Sequence, residues 1–161
     1  MQPQFEFVMT VHLRLGPHGI QKIGPLPTGG ERHFVPLGDG IFEGPKLRGK
    51  VLPGGGEFPL QAPEGVLRID ARYCLQEDDG TVILLRNRGI RRAPPEVFAR
   101  WRDPAVVDKP AASEFYMRVV PTFETARGKH DWLTENIFFG ILADEPSPPP
   151  WRLSIDYYRL K

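Results

Sequence analysis

FEFVMTVHLRL, residues 5–15, puts Phe5, Phe7, Met9, Val11, Leu13 and Leu15 on one parity and Glu6, Thr10, His12 and Arg14 on most of the other. Alternation sustained over so long a run marks a β-strand with one apolar and one polar face. The same period returns in Val66–Leu75, where Leu67, Ile69, Ala71, Tyr73 and Leu75 oppose Arg68, Asp70, Arg72 and Cys74. Asp78-Asp79-Gly80 is a hairpin signal, and Thr81–Arg88 is its returning strand. Further strands are expected at Ile20–Ile23, Arg32–Leu37 (ended by Gly38-Asp39-Gly40), Ser113–Val120, Asn136–Leu142 and Arg152–Leu160. Ile41–Leu52 reads as a long mixed segment, bulged or sharply coiled at Gly44-Pro45 and Gly49. Pro53-Gly54-Gly55-Gly56 is expected to be a tight loop, Pro121–Lys129 a longer one, and Pro146–Pro150 a short stiff excursion fixed by Trp151.

One helix is expected, Pro94–Trp101: the prolines suit a first turn, Glu96 suits its dipole, and Pro104 stops it. Trp101 should pack it down. The chain has 161 residues with 17 Gly and 18 Pro, clustered between apolar runs as turn punctuation. Eight or more short-linked strands then give an all-β domain spanning residues 1–161, an antiparallel up-and-down barrel or a sandwich of about 8–10 strands.

Composition excludes several function classes. A net charge of +1, from 21 basic and 20 acidic residues, lacks the basic excess of a nucleic-acid binder. The one cysteine, Cys74, forms no internal disulfide, and the sequence shows no signal peptide, so a cytoplasmic location is expected. No apolar run is long enough for a membrane helix. The histidines (12, 18, 33 and 130) show no ligand spacing, so no metal is expected. The triple glycine precedes no helix and therefore makes no phosphate loop. Cys74 reads as a small buried hydrophobe, and no nucleophile elbow or dinucleotide fingerprint is present.

Three polar rows remain: Arg68, Asp70, Arg72 and Cys74; Glu114, Tyr116 and Arg118; Lys46, Arg48 and Lys50. Either they are the wet outside of the barrel, or they face its lumen and must pair there, because a buried unpaired ion is very costly. In the second case Asp70 and Glu43 offset Arg72 and Arg118, and the cluster is a place for acid–base chemistry. Thr122-Phe123-Glu124-Thr125 and the Lys129–Trp132 stretch fall near an expected rim, with Trp132 either a core anchor or a lid.

The segments Gly38–Gly49, Val51–Gly55, Leu67–Tyr73, Asp78–Ile83, Asn87-Arg88-Gly89, Phe115–Arg118, Pro121–Thr125 and Trp132-Leu133 resemble the family called domain of unknown function 3237. The resemblance runs from about Phe5 to the C-terminus and implies a lipocalin-like β-barrel, to which the residues add one short helix. It marks Arg32, Glu43, Asp70, Arg72, Asp79, Asn87, Arg118, Glu124 and Trp132 as polar positions, and it shifts the weight toward a polar lumen. Glu57-Phe58 departs from the family's usual Asp-Trp, keeping the charge. The activities it suggests are cofactor-free ring closures on small natural products.

Three functions compete. The first is a cofactor-independent lyase, isomerase or cyclase acting on a small oxygenated or polyketide-like substrate. Its base is Asp70 or Glu124, and Arg72, Arg118 or Arg32 steadies the developing anion. The second is a non-catalytic carrier of an anionic or phenolic ligand, held by Arg32, Glu43, Arg48, Asn87, Arg88, Tyr116, Lys129 and Trp132. The third is a homodimer built on the apolar rows of Phe5–Leu15 and Ile137–Ile141.

Overall fold

The computed structural model describes residues 2–102, 105, 110–143 and 153–161. The Pro146–Pro150 excursion, Trp151 and the expected helix stop at Pro104 lie outside them. Among the described residues ten strands form: β1 (Phe5–Leu15), β2 (Gln21–Pro25), β3 (Glu31–Glu43), β4 (Gly49–Glu57), β5 (Leu60–Gln61), β6 (Leu67–Glu77), β7 (Val82–Arg92), β8 (Tyr116–Thr125), β9 (Phe138–Leu142) and β10 (Leu153–Leu160). Among the same residues one α-helix forms, α1 (Pro95–Arg102), which follows β7.

All pairings are antiparallel. Strands β3, β4, β6, β7, β8, β9, β10 and β1 neighbour one another in that order, and β1 pairs back onto β3. That last ladder closes an eight-stranded up-and-down barrel. The β2 strand extends β3 as a hairpin, and the short β5 bridges β3 and β6.

Alternation decides what points inward. Leu67, Ile69, Ala71, Tyr73 and Leu75 of β6, Ile83 and Leu85 of β7, and Met117, Val119 and Phe123 of β8 share one buried core. Residues of opposite parity stay at the surface. β1 carries a register shift between Phe7 and Met9, so Val8 is an extra residue and both Val8 and Met9 are buried. The bulge reverses the parity before it, and Phe5 and Phe7 therefore lie on the outside. There Phe5 meets Phe139 edge-on, with ring centres 4.9 Å apart, and Phe139 stacks on Tyr158 at 5.3 Å.

Three expected breaks in the chain are strand interior. Gly38-Asp39-Gly40 does not end a strand: β3 runs through to Glu43. A Cβ on Gly40 would stand 2.1 Å from the carbonyl oxygen of His12, so glycine there permits β1 and β3 to approach at the closing seam. Pro53–Gly56 is not a loop but a bulge within β4, with the β6 register shifting between Leu52 and Gly56 and Gly54 at φ +102°. Pro121 continues β8, and the two pairs that β8 makes with β9, at Arg118 and Val119, both precede it. A proline is tolerated where a ladder has stopped.

The barrel is filled at one end and open at the other. Phe42, Leu47, Phe138, Leu133 and Met9 fill the end reached by the Asp78–Thr81 turn, and Trp132 packs against them. At the opposite end α1 lies against the barrel through Val97 and Phe98, which form a separate small core with Phe115, Trp101 and Ala93. Trp101 does pack the helix down. No helix among the described residues is long and apolar enough to cross a membrane.

Replacing Gly40 by Ala forces a methyl into the β1–β3 seam. It should destabilise the protein by about 1–3 kcal/mol in urea unfolding, the usual cost of overpacking. An unchanged midpoint would show that the seam has room to give.

Candidate functional site

The open half of the lumen is a cavity of about 470 Å³. Leu13, Val35, Leu37, Leu67 and Leu153 make most of its apolar wall. Its polar groups are Glu57 from the end of β4, Arg91 from the end of β7, Glu31 and His33 from the start of β3, Gln61 and Arg14. The volume lies in the range of small-molecule sites, and so does the pattern of a mainly apolar wall with a few convergent polar groups.

Glu57 and Arg91 are the charged groups that line both this chamber and its deeper extension. Burial pushes the Glu57 carboxyl up, while the positive charge of Arg91 pulls it back down, with burial the larger effect. Arg91 is itself held in an aromatic seat: its guanidinium lies 4.3 Å from the ring centre of Trp101 and 5.7 Å from that of Phe98. At the mouth, His33 Nε2 stands 3.0 Å from Glu31 Oε1, and Lys22 reaches the other oxygen of the same carboxylate at 3.1 Å.

Deeper in, a second space of about 30 Å³ is lined by Tyr73 and Asn87 among apolar neighbours. Tyr73 Oη and Tyr157 Oη are 3.0 Å apart, and the Asn87 amide nitrogen donates to Tyr157 Oη and, at 3.5 Å, to Tyr73 Oη. Asn87 Oδ1 is sealed from solvent and has no hydrogen-bond partner. Burial raises both phenols, Tyr73 well above its ordinary value and Tyr157 to about 12.

Most of the expected site residues stand elsewhere. The polar rows face outward, so the lumenal centre expected around Asp70, Arg72 and Arg118 does not form. Asp70 is engaged on the outer face, where Arg86 grips both its oxygens at 3.2 and 3.1 Å and Arg88 approaches at 3.7 Å. Arg72 and Arg118 belong to the exposed parity of β6 and β8, and Arg118 and Arg92 lie over the ring of exposed Tyr116. The reason is ordinary solvation: an exposed ion pair loses little, whereas several guanidinium groups in one lumen would need a carboxylate each. Cys74 lies on the same outward row, half-buried.

Glu43, Arg48, Glu124, Lys129 and Trp132 belong to the filled end, away from the chamber. Glu43 is exposed beside His12, Arg48 pairs with Asp78 at 3.3 Å, and Glu124 is exposed at the end of β8. Trp132 is an anchor rather than a lid, its ring 5.7 Å from that of Phe138. Arg32 donates to the carbonyl of Phe58, outside the chamber. Of the expected set, Asn87 is the residue that lines the open part of the lumen.

Sequence reasoning missed Arg91, His33, Tyr73 and Tyr157 and gave Glu57 no role. One signal was present. The inward row of β7 is Ile83, Leu85, Asn87, Gly89, Arg91, apolar at one end and polar at the other, which is how a strand looks when it runs from a packed core into a wet cavity.

A further polar cluster braces the filled end. Glu77, Asp79 and His130 offer ligand atoms within 4.8 Å of one another. Asp79 accepts from the Thr81 amide at 2.9 Å, His130 Nε2 at 3.0 Å and Lys129 Nζ at 3.1 Å, and Glu77 accepts from the Asp79 amide at 2.7 Å. The hydrogen bonds from Thr81 come first, with those of His130 and Lys129 added, in holding the Asp79 carboxyl far below the usual carboxylate range. The cluster thus ties the β6–β7 hairpin to the turn that carries Trp132.

Fold and cavity together define a closed up-and-down β-barrel with a ligand-sized chamber at one end. The chain belongs to the family described as "Protein of unknown function (DUF3237)", whose model matches residues 3–160. A UPF0311 protein of Rhodopseudomonas palustris (strain TIE-1) is 32% identical over 145 residues, 89% of this chain and 91% of that protein. A UPF0311 protein of Clostridium acetobutylicum is 38% identical over 109 residues, 68% of this chain and 67% of that one. Among solved structures, a protein of unknown function from R. palustris superposes with a TM-score of 0.85 at 28% identity, covering 100% of this chain and 99% of that one. A β-barrel-like protein from Acinetobacter baumannii gives 0.80 at 27%, covering 100% and 98%. An enzyme from Penicillium herquei gives 0.70 at 21%, covering 100% and 96%, a likeness of fold alone.

The Asp79 brace makes a pH prediction. A carboxyl whose folded pKa is depressed contributes fully above its unfolded value, near 4, and loses that contribution as pH falls toward the folded value. Asp79→Asn should therefore lower the urea midpoint at pH 7, and the gap from the parent protein should narrow below about pH 4. Equal midpoints at pH 7 would remove the brace from the account.

Proposed function

We propose that the protein is a small-molecule-binding β-barrel acting as a cofactor-independent lyase, isomerase or cyclase on a small oxygenated or polyketide-like substrate. The observation that carries this is the presence of Glu57 and Arg91 together in one chamber of about 470 Å³. A carboxylate whose pKa is raised by burial is a stronger base than one in water, and it ionises closer to neutral pH. A guanidinium fixed over Trp101 offers a positive charge to the oxygen of an enolate or alkoxide as it forms. The two together support proton removal next to a carbonyl, the step common to those reaction types. Glu57 takes the part that the sequence suggested for Asp70 or Glu124, and Arg91 that of Arg72 or Arg118. The second reading, a carrier of anionic or phenolic ligands, is favoured by the same arginine seat and differs in leaving its ligand unchanged.

Exchange of the α-protons of 2-tetralone in D2O, followed by NMR, tests the chemistry directly. The parent protein should accelerate exchange by about 10²-fold or more over buffer, and Glu57→Gln should return it to the buffer rate. The rate should rise with pH as Glu57 loses its proton, with a midpoint above the ordinary carboxylate value of 4.5. Exchange undiminished in Glu57→Gln overturns the assignment of the base. Ketone bound without any acceleration selects the carrier.

A further inference from the structure

We propose that the floor of the chamber is a subsite for one hydroxyl group of the bound molecule, held by Asn87 of β7 together with the Tyr73–Tyr157 pair of β6 and β10. The assignment rests on the lumen being the ligand site, and it adds a requirement that the Glu57–Arg91 pair does not impose.

The ground is a count of hydrogens. Asn87 spends an amide hydrogen on the tyrosine oxygens, and the two tyrosine oxygens, 3.0 Å apart, share one hydroxyl hydrogen between them. Two phenols carry two hydroxyl hydrogens. Whichever tyrosine donates to the other, one O–H is left over within the triangle. On the acceptor side Asn87 Oδ1 is also left over, buried and without a partner. The triangle therefore presents an unspent tyrosine O–H and, on Asn87, an unspent amide oxygen. Both phenols stay protonated at neutral pH, since burial raises each of them.

The space that Tyr73 and Asn87 line is small and adjoins the main chamber. Its volume is about 30 Å³, and Leu13, Leu37, Glu57, Arg91 and Leu153 line both spaces. That is room for a single small polar group. Its other walls include Ile69, Ala71, Met117 and Ile155, which offer no side-chain hydrogen bond. A hydroxyl satisfies both unspent groups at once: it donates to Asn87 Oδ1 and accepts from the free tyrosine O–H. A ketone or ether satisfies only the donor and leaves Oδ1 unpaired, and a hydrocarbon leaves both. A buried polar group left unpaired is what rejects a ligand lacking its counterpart.

Calorimetric titration of the full chain with 2-naphthol, 2-methoxynaphthalene and naphthalene separates these cases. 2-Naphthol should bind at least tenfold more tightly than either of the others. Asn87→Leu should reduce that preference to about unity while leaving the affinity for naphthalene unchanged, and Tyr73→Phe, which keeps the ring, should reduce it in part. Equal binding of the three probes by the parent protein overturns the hydroxyl subsite and leaves the lumen as a binding site. So does a preference that survives both substitutions, or a methoxy probe as tight as the naphthol. Failure of all three probes to bind overturns the lumen as the ligand site, and the subsite with it.

Discussion

Everything in this molecule depends on the pairing of β1 with β3. Without that ladder the other strands make an open sheet with two edges; with it, every inward side chain must share one enclosed column. An eight-stranded barrel is just wide enough to be filled by side chains or to hold one small ligand. This chain fills one half of its lumen and leaves a cavity in the other, and residue size decides which. Phe42, Phe123, Phe138 and Met9 close one half, whereas Leu13, Val35, Leu37 and Leu67 stand around the other without meeting across it. The cavity is the place where the inward rows run out of bulk.

The barrel was legible because period two survives closure: Phe5–Leu15, Val66–Leu75 and the Asp-Asp-Gly hairpin fall where alternation and turn chemistry put them. What misled were local signals overridden by their surroundings. Gly40 and the triple glycine mark close backbone approach and a bulge rather than turns, and Pro121 sits where a ladder has already ended. The direction of the charged rows was not legible from their own parity, since a polar lumen and a polar surface produce the same pattern. It was legible from their partners. Leu67, Ile69, Ala71, Tyr73 and Leu75 together are too apolar to be the wet face, so Asp70 and Arg72 had to be. The site itself was written in the exceptions within the apolar rows, at Tyr73, Asn87 and Arg91.

Those exceptions follow a physical order along the lumen. Nearest the packed end come neutral groups that hydrogen-bond one another, Tyr73, Asn87 and Tyr157. Next come Glu57 and Arg91, whose opposite charges moderate each other in a space still mostly lined by carbon. At the mouth stand Glu31, His33 and Arg14, where water does the solvating. Charge increases as the desolvation cost falls, which is the arrangement that a folded barrel can sustain without a bound ligand.

The triangle at the floor is the step that stability alone does not explain. An orphaned acceptor such as Asn87 Oδ1 costs about 1–3 kcal/mol when nothing meets it, and a leucine at that position would continue the row of Ile83 and Leu85 at no such cost. Two tyrosines and an asparagine brought to one point from three strands fix the side-chain geometry on the most rigid part of the scaffold, deep in the ladder rather than on a loop. Rigid placement is of little use to a solvent-facing polar group, which water satisfies in any orientation. It matters for recognition, where a donor and an acceptor must stay a fixed distance apart while a single hydroxyl arrives between them.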